Sequence, residues 1–256
     1  MTKFTIQHIK NFKQSQGPFT ALTAYDYVSA QILDEAQIPL ILVGDSASMT
    51  IYGYNTTLPI SMDEMLFVVK AVSRGAKHSL VVADMPFLSY QPSIEETIKN
   101  AGRFLKEGGV SAIKLEGGLH VVSHIENLVK HGIPVLGHVG LTPQSYHQFS
   151  GYKIQGKTPD DAKKIIEDAR AVQESGAFAV VLECVPDSLA EKITQDLHIP
   201  TIGIGSGKNC DGQIQVFHDI LGYGSSPLPK HAMKYDNMYS RVLKIVKKYK
   251  SDIENQ

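Results

Sequence analysis

The feature that most constrains the fold is an alternation of short apolar runs with helical patterns, which repeats along the chain. Runs such as 40–43 have the length of a strand and are apolar at every position, which is typical of strands buried on both faces. Eight strand–helix units favour an α/β fold of the closed (β/α)8 TIM-barrel type over an open doubly wound sheet. The predicted strands are 19–23, 40–43, 79–83, 112–115, 134–137, 179–182, 201–204 and 215–217.

The length of the chain agrees with one barrel. It has 256 residues, and barrels of this type typically have about 250 residues in a single domain. No composition shift marks a boundary, so we predict one catalytic domain over 1–256. Residues 4–14 predict an amphipathic N-terminal helix that closes the bottom of the barrel, and 233–249 predict a surface helix in the tail.

Charge and composition limit the partners. The 25 Lys and Arg residues nearly balance 26 Asp and Glu, so no broad basic field is present to bind nucleic acid or an anionic membrane. No stretch approaches the roughly 18 apolar residues of a membrane span, and the N-terminus lacks the apolar region of an export signal. Cys184 and Cys210 are too few for a disulfide framework. These features predict a cytoplasmic protein that binds small molecules.

Ionisable residues follow several of the apolar runs. The segments "PLILVGDS", "SLVVADMPF" and "VSAIKLEGG" reach Asp45, Asp84 and Glu116, and two further predicted strand ends carry His138 and Glu183. Because the carboxyl ends of barrel strands converge on one mouth, we expect these side chains to meet there. Each aspartate by itself could cap the next turn. Four carboxylates in a dry mouth, however, need a cation or protonation, and oxygen ligands favour Mg²⁺ over Zn²⁺.

Lys114 and His138 are further candidate site residues. Lys114 precedes Glu116 by two positions, so both side chains point into the barrel interior. A lysine buried there needs an anionic partner, either a nearby carboxylate or a substrate acid. His138 is interpreted either as a hydrogen-bonded wall residue or as a catalyst. The long loops 46–61 and 140–158 are candidates for lids or substrate walls.

The motifs of this chain resemble those of a known family over nearly its whole length. They are "TAYDYVSA", "LVGDSASM", "ADMPF", "AIKLEGG", "VLGHVGLTPQS", "GYKIQGKT", "LECVP" and "PTIGIGSGKNCDGQIQVFHDILG". In this order they resemble the ketopantoate hydroxymethyltransferases. The resemblance implies a Mg²⁺ ion and transfer of a hydroxymethyl group from methylenetetrahydrofolate to 3-methyl-2-oxobutanoate, giving 2-dehydropantoate in pantothenate biosynthesis. It also implies a large homo-oligomer, with a decamer as the expected form.

The resemblance also implies roles for individual residues. Its metal site corresponds to Asp45, Asp84 and Glu116, its substrate contacts to the same two aspartates with Ser46 and Lys114, and its general base to Glu183. The chemistry suits these residues, because a 2-oxo acid can chelate Mg²⁺ and the metal then stabilises the enolate formed when the adjacent carbon loses its proton.

Three other interpretations remain open at this point. Lys114 could activate the oxo acid as a Schiff base, as in an aldolase. The chain could instead be a Mg²⁺-dependent lyase of the phosphoenolpyruvate mutase and isocitrate lyase type, which would not depend on folate. A non-catalytic barrel that binds oxo acids is the third, although binding alone does not require Glu183. One loop residue, Ser150, departs from the glycine pair expected of the family before "YKIQGKT".

Overall fold

The computed structural model describes residues 2–15, 17–224 and 228–256. Its strands form a closed barrel in which each strand pairs in parallel with the next along the chain. The predicted fold class is therefore confirmed. The strands are β1 (Phe19–Thr23), β2 (Leu40–Val43), β3 (Leu80–Asp84), β4 (Ala112–Lys114), β5 (Val135–Gly140), β6 (Ala179–Glu183), β7 (Thr201–Ile204) and β8 (Gly212–Gln215).

Helices connect the strands on the outside of the barrel. Ser61 caps the helix after β2 by accepting a hydrogen bond from the backbone N–H of Glu64, whose side chain accepts one from Ser61 in return. The α-helices are α1 (Ile6–Asn11), α2 (Tyr27–Glu35), α3 (Ala47–Thr50), α4 (Met62–Gly75), α5 (Ile94–Lys106), α6 (Val122–Lys130), α7 (Tyr146–Phe149), α8 (Pro159–Glu174), α9 (Asp187–Asp196), α10 (Phe217–Leu221) and α11 (Met238–Glu254).

The N-terminal helix closes the bottom of the barrel, as predicted. Ile9 of α1 is fully buried in a cluster with Phe19, Leu40 and Leu80, which are the first residues of β1, β2 and β3. The aromatic and aliphatic residues beside Ile9 pack against the same cluster. Because these contacts involve the amino ends of the strands, α1 leaves the opposite end of the barrel free for chemistry.

The prediction of a strand at 215–217 is wrong, because β8 is Gly212–Gln215 and a helix begins soon afterwards. Close packing explains the glycine at the start of β8. A Cβ at Gly212 would lie 2.6 Å from a ring carbon of Phe19. Ile214 is the only buried apolar side chain of the four residues, so a hydrophobic pattern does not reveal this strand.

The chain divides into two compact units, Met1–Ile214 and Gln215–Gln256. The first contains the barrel. The second contains α10 and α11, and α11 corresponds to the tail helix predicted at 233–249. Within the second unit the backbone N–H of Tyr235 donates to the carbonyl of Ile220. Among the described residues, no helix combines the length and apolar character needed to cross a membrane.

Asp34 fixes the approach to β3 and should matter for stability. Its carboxylate accepts hydrogen bonds of 2.8 Å from the backbone N–H groups of His78 and Ser79 and lies 2.9 Å from the His78 ring. Burial raises the pKa of Asp34, but these hydrogen bonds outweigh it and hold the pKa well below its usual range. We expect Asp34→Asn to lower the free energy of unfolding by about 1–3 kcal/mol at pH 7.

Because the folded-state pKa of Asp34 is depressed, this stabilisation is present above the unfolded value near about 4 and is lost as pH falls through the folded pKa. Urea unfolding between pH 7 and pH 3 measures the free energy of unfolding of wild type and of Asp34→Asn. The difference between the two free energies should become smaller below about pH 4. The control is Asp63→Asn, since the exposed Asp63–Arg103 pair should contribute little. If Asp34→Asn and Asp63→Asn lowered the free energy of unfolding equally at pH 7, the stabilising role of Asp34 would be contradicted.

Candidate active site

Six ionisable side chains meet at the carboxyl end of the barrel, where the sequence predicts them. They come from the ends of four strands and from within β5, which extends to Gly140 instead of 137. Five of them are almost completely buried, whereas Glu183 has a side chain that is 15% exposed. The six residues are Asp45, Asp84, Lys114, Glu116, His138 and Glu183.

Lys114 forms the central ion pair of this cluster. Its Nζ lies 2.7 Å from both carboxylate oxygens of Asp84 and 3.6 Å from Oε1 of Glu116. Burial lowers the pKa of Lys114, but the charges of Asp84 and Glu116 more than reverse this effect and raise the pKa above its usual value. The anionic partner that Lys114 requires is therefore a neighbouring carboxylate, and Lys114 is a cation in this arrangement.

Asp45 is held against Asp84 without a cation of its own. Its backbone N–H donates to Oδ2 of Asp84 at 3.3 Å, and its Oδ2 accepts a 3.0 Å hydrogen bond from Nε2 of Gln144. Burial and then the charges of Asp84 and Glu116 raise the pKa of Asp45 well above its usual range. A carboxylate under this much repulsion is one that an added cation would stabilise.

The donor set fits a hard divalent cation, although it is not a preformed cage. Among the residues that the structure describes, no three His, Cys, Asp or Glu side chains are arranged to hold a metal ion directly. Mg²⁺ does not need such a cage, because it usually binds one or two carboxylates and keeps several waters or substrate oxygens. Oε1 of Glu116 is buried without a hydrogen-bond partner. The four carboxylates also outnumber the two cationic side chains nearby, so a divalent ion would balance the charge.

His138 lies between two carboxylates. Its Nδ1 is 3.3 Å from Oε1 of Glu116, and its Nε2 is 3.2 Å from Oε2 of Glu183, but neither contact is aligned as a hydrogen bond. Burial and the charge of Lys114 lower the pKa of His138, whereas its contacts with the two glutamates raise it to about 9. With its pKa raised in this way, His138 carries a positive charge between the two glutamates near neutrality.

The backbone around Glu183 is held from both sides. Cys184, the next residue, has a φ of +48°, a left-handed conformation that is unusual for a side chain other than glycine. The backbone N–H of Cys184 donates to Ile204, and its carbonyl accepts from the backbone N–H of Gln155. This left-handed residue lies directly after Glu183, where β6 ends, and backbone strain of this kind is frequent at functional sites.

Gln144 is a site residue that the sequence does not reveal. Its Nε2 donates to Asp45 and to the carbonyl of Met85, and its backbone N–H donates to Oε2 of Glu116 at 3.0 Å. Its Oε1 accepts a 3.0 Å hydrogen bond from Tyr90, whose side chain is fully buried. The residue lies in a short 3-10 helix (Pro143–Ser145), four positions after the end of β5, and only its place after a barrel strand could have indicated a role.

Ser46 and Ser150 are two further residues that the sequence singles out. Ser46 lies next to Asp45, and its Oγ is 2.7 Å from the hydroxyl of Tyr25. Ser150, which replaces the expected glycine, has a φ of +53° and ends α7 in the left-handed region. Glycine adopts this conformation without steric cost, which explains physically why a glycine is expected at this position.

A cluster of carboxylates, a lysine and a histidine at the carboxyl end of a (β/α)8 barrel is typical of the enzymes that have this fold. The solved structure of phosphoenolpyruvate phosphomutase from Streptomyces platensis subsp. rosaceus has the same fold. The two chains align with a TM-score of 0.66 and 11% identity, over 98% of this chain and 88% of that one. At this identity the likeness concerns the fold alone.

Sequence comparison then gives the family. The family model described as ketopantoate hydroxymethyltransferase matches residues 3–256. The 3-methyl-2-oxobutanoate hydroxymethyltransferase of Carboxydothermus hydrogenoformans is 50% identical over 256 residues, 100% of this chain and 93% of the relative. The enzyme of that name from Pseudothermotoga lettingae is 51% identical over 250 residues, 97% of this chain and 94% of the relative. The chain therefore belongs to the ketopantoate hydroxymethyltransferase family.

Family membership confirms the resemblance that the motifs predict. The chain is accordingly an enzyme of the transferase class, so its interpretation as a non-catalytic oxo-acid-binding barrel is set aside.

Proposed function

We propose that this chain transfers a hydroxymethyl group from methylenetetrahydrofolate to 3-methyl-2-oxobutanoate and forms 2-dehydropantoate, in pantothenate biosynthesis. The observation that carries the proposal is a row of side chains with alternating charges across the mouth, in the order Asp84, Lys114, Glu116, His138 and Glu183. One end of this row suits binding of an anionic oxo acid, and the other end provides a separate proton acceptor. The relatives described above are named for this activity.

Asp45, Asp84 and Glu116 are the residues that would hold Mg²⁺ in this proposal. Bound there, the ion would supply positive charge to the keto and carboxylate oxygens of the oxo acid, where negative charge develops when carbon 3 is deprotonated. The crowding that raises the pKa of Asp45 supports this role, since a bound cation would hold that carboxylate in its ionised form.

Lys114 and Ser46 would bind the carboxylate of the oxo acid. Two of the three ammonium N–H bonds of Lys114 are used on Asp84, so the third remains for the substrate. The contact between Ser46 and Tyr25 fixes the position of the serine hydroxyl. Asp45 and Asp84 lie beside these groups and would complete the substrate contacts.

Glu183 would accept the proton from carbon 3 of the oxo acid. His138, 3.2 Å away, would hold the carboxylate in place. The electron pair left on carbon 3 then forms the new carbon–carbon bond with the one-carbon unit of the donor. One water is consumed overall. The two bonds from the one-carbon unit to the donor nitrogens break, and the hydroxyl group of the water ends on the transferred carbon. The proton of the water and the proton from carbon 3 end on the two nitrogens, which releases tetrahydrofolate.

The test is an assay of the purified chain with the oxo acid and methylenetetrahydrofolate, with and without Mg²⁺. We expect 2-dehydropantoate only when both substrates and the metal are present, and chelation by EDTA should remove the activity reversibly. Formation of the product without the folate, or cleavage of the oxo acid, would contradict the proposal and favour the lyase interpretation.

Lys114 distinguishes this proposal from a Schiff-base mechanism. A Schiff base requires a neutral amine, whereas the ion pair with Asp84 keeps the lysine protonated. We expect Lys114→Arg to keep measurable turnover with a raised KM, because guanidinium retains the charge in a different shape. Lys114→Met, which removes the charge, should lose turnover. Mass spectrometry after borohydride treatment with the oxo acid should find no adduct on wild-type Lys114, and an adduct there would overturn the proposal.

We also propose that the enzyme works in the cytoplasm as a homo-oligomer, with a decamer as the expected form. Cys184 and Cys210 are buried and form no disulfide in the described part of the chain, which supports a reducing compartment. An exposed apolar stripe on α11 supports association, because apolar patches of this kind often mark protein interfaces. It consists of Ile245, Val246, Tyr249 and Ile253. Sedimentation equilibrium tests the assembly, and a mass of 28.1 kDa, that of one chain, would contradict it.

A further inference from the structure

The segment 152–157 lies in the long loop between β5 and α8 and is fixed in position at several points. Tyr152 places its hydroxyl 3.6 Å from Sδ of Met49, in the short helix that follows Asp45. At the other end of the segment, Gln155 donates its backbone N–H to Cys184, directly after Glu183. A Cβ at Gly156 would meet the side chains of Leu189 and Ile165 within 3 Å. The loop thus connects the residues that follow β2 and β6 across the mouth.

Tyr152 presents an aromatic ring close to the reacting groups. The ring packs edge-on against Tyr146, with 5.1 Å between ring centroids, and the residue is still 47% exposed. Burial of its hydroxyl and then the charges of Asp45 and Glu183 raise the pKa of Tyr152 to about 12. The contact with Met49, four residues after Asp45, places Tyr152 near the mouth, and the exposed part of its surface is available to a flat ligand there.

Basic side chains follow Tyr152 in the same segment. Lys153 and Lys157 are exposed, and neither forms an ion pair with a described carboxylate. Ile154, between them, is also exposed. The segment therefore offers an exposed aromatic ring, an exposed apolar side chain and two cations that are free to bind an anion.

We infer that the segment 152–157 recognises the folate donor, with Tyr152 stacking on its ring system and Lys153 and Lys157 binding its glutamate tail. This inference rests on the proposed function. The donor carries its one-carbon unit directly on a fused ring, so that ring must come next to the oxo acid at Glu183. Its tail, which carries carboxylates, must then point away from the mouth. The segment supplies an aromatic ring for the ring system of the donor and two cations for the carboxylates of its tail.

Direct binding of tetrahydrofolate tests the inference separately from the reaction. Calorimetric titration is carried out with Mg²⁺ and the oxo acid present. We expect Tyr152→Ala to weaken tetrahydrofolate binding about tenfold, whereas Tyr152→Phe, which keeps the ring and loses the contact with Met49, should bind within about twofold of wild type. Unchanged binding by Tyr152→Ala, or no binding by wild type, would overturn the inference.

The basic side chains need a second comparison, between tetrahydrofolates with one and with three glutamates. Wild type should bind the longer tail several-fold more tightly, and Lys153→Ala/Lys157→Ala should lose this preference. The control is Lys130→Ala, an exposed lysine at the end of α6, on the opposite side of the barrel from the mouth. If the double variant kept the preference, the tail would bind elsewhere and the inference would be wrong.

Exchange of the hydrogen on carbon 3 of the oxo acid, measured in D₂O without folate, reports on the proposed chemistry alone. The Tyr152 and lysine variants should exchange at the wild-type rate, because none of them touches the oxo acid. If wild type did not exchange this hydrogen, the proposed function would be contradicted. The tetrahydrofolate titrations would then decide by themselves whether segment 152–157 binds folate. Loss of exchange in Tyr152→Ala alone would show a general distortion of the mouth and overturn the assignment to folate.

Discussion

Glu183→Gln should abolish proton abstraction while leaving binding of the oxo acid close to wild type. Glutamine has nearly the same shape but cannot accept the proton from carbon 3, and general-base catalysis typically contributes about 10²–10⁴-fold. Glu183 is linked to the proposed metal ligand Glu116 only through His138, and glutamine keeps an oxygen beside His138, so the replacement should leave the proposed metal ligands in place. The measurement is the rate of deuterium incorporation at carbon 3 of the oxo acid, without folate and with saturating Mg²⁺.

Glu191→Gln provides the matched control, because Glu191 is an exposed glutamate on α9. It should exchange at the wild-type rate. If Glu183→Gln also did so, another group would have to be the base. His138 would be the first residue to test, although its raised pKa makes it a poor proton acceptor near neutrality.

Asp45→Asn should weaken Mg²⁺ binding by more than about 100-fold, because the loss of a ligand should exceed the 10–100-fold effect typical of outer-shell changes. The protein should remain folded. Asp45 already experiences repulsion from Asp84 and Glu116, and asparagine keeps an oxygen that can accept the hydrogen bond from Gln144. We therefore expect the free energy of unfolding without metal to stay the same or to rise. Calorimetric titration of Mg²⁺ in the presence of the oxo acid measures the affinity.

Asp84→Ala should lose Mg²⁺ binding as well, but it should also destabilise the protein, because it leaves the buried ammonium of Lys114 with only the longer contact to Glu116. The exposed carboxylate of Asp63 gives the control, and Asp63→Asn should bind Mg²⁺ like wild type. Wild-type affinity in both Asp45→Asn and Asp84→Ala would contradict the metal assignment.

The sequence alone predicted the barrel and the position of its mouth. Strands buried on both faces require continuous apolar runs, and such runs can be recognised without knowing what packs on them. The ionisable residues Asp45, Asp84, Glu116, His138 and Glu183 were found for the same reason, since each follows or lies near the end of such a run. The rule that strand ends converge then brings them together. These features depend on local pattern and on one general property of the fold.

Other features were decided only by the tertiary structure. β8 is defined by backbone pairing with β7 and by the space that Phe19 leaves for Gly212, and neither is visible in a pattern of four residues. Gln144 is a polar residue in a short 3-10 helix until Asp45 and Glu116 are brought to it from other parts of the chain.

The partner of Lys114 likewise follows from distance: the sequence leaves open either a nearby carboxylate or a substrate acid, and the structure places Asp84 2.7 Å from its ammonium group. Local propensity and hydrophobic periodicity determine which segments form elements. The hydrogen bonds and charges between distant residues depend on ångström-scale separations that only the packed chain defines.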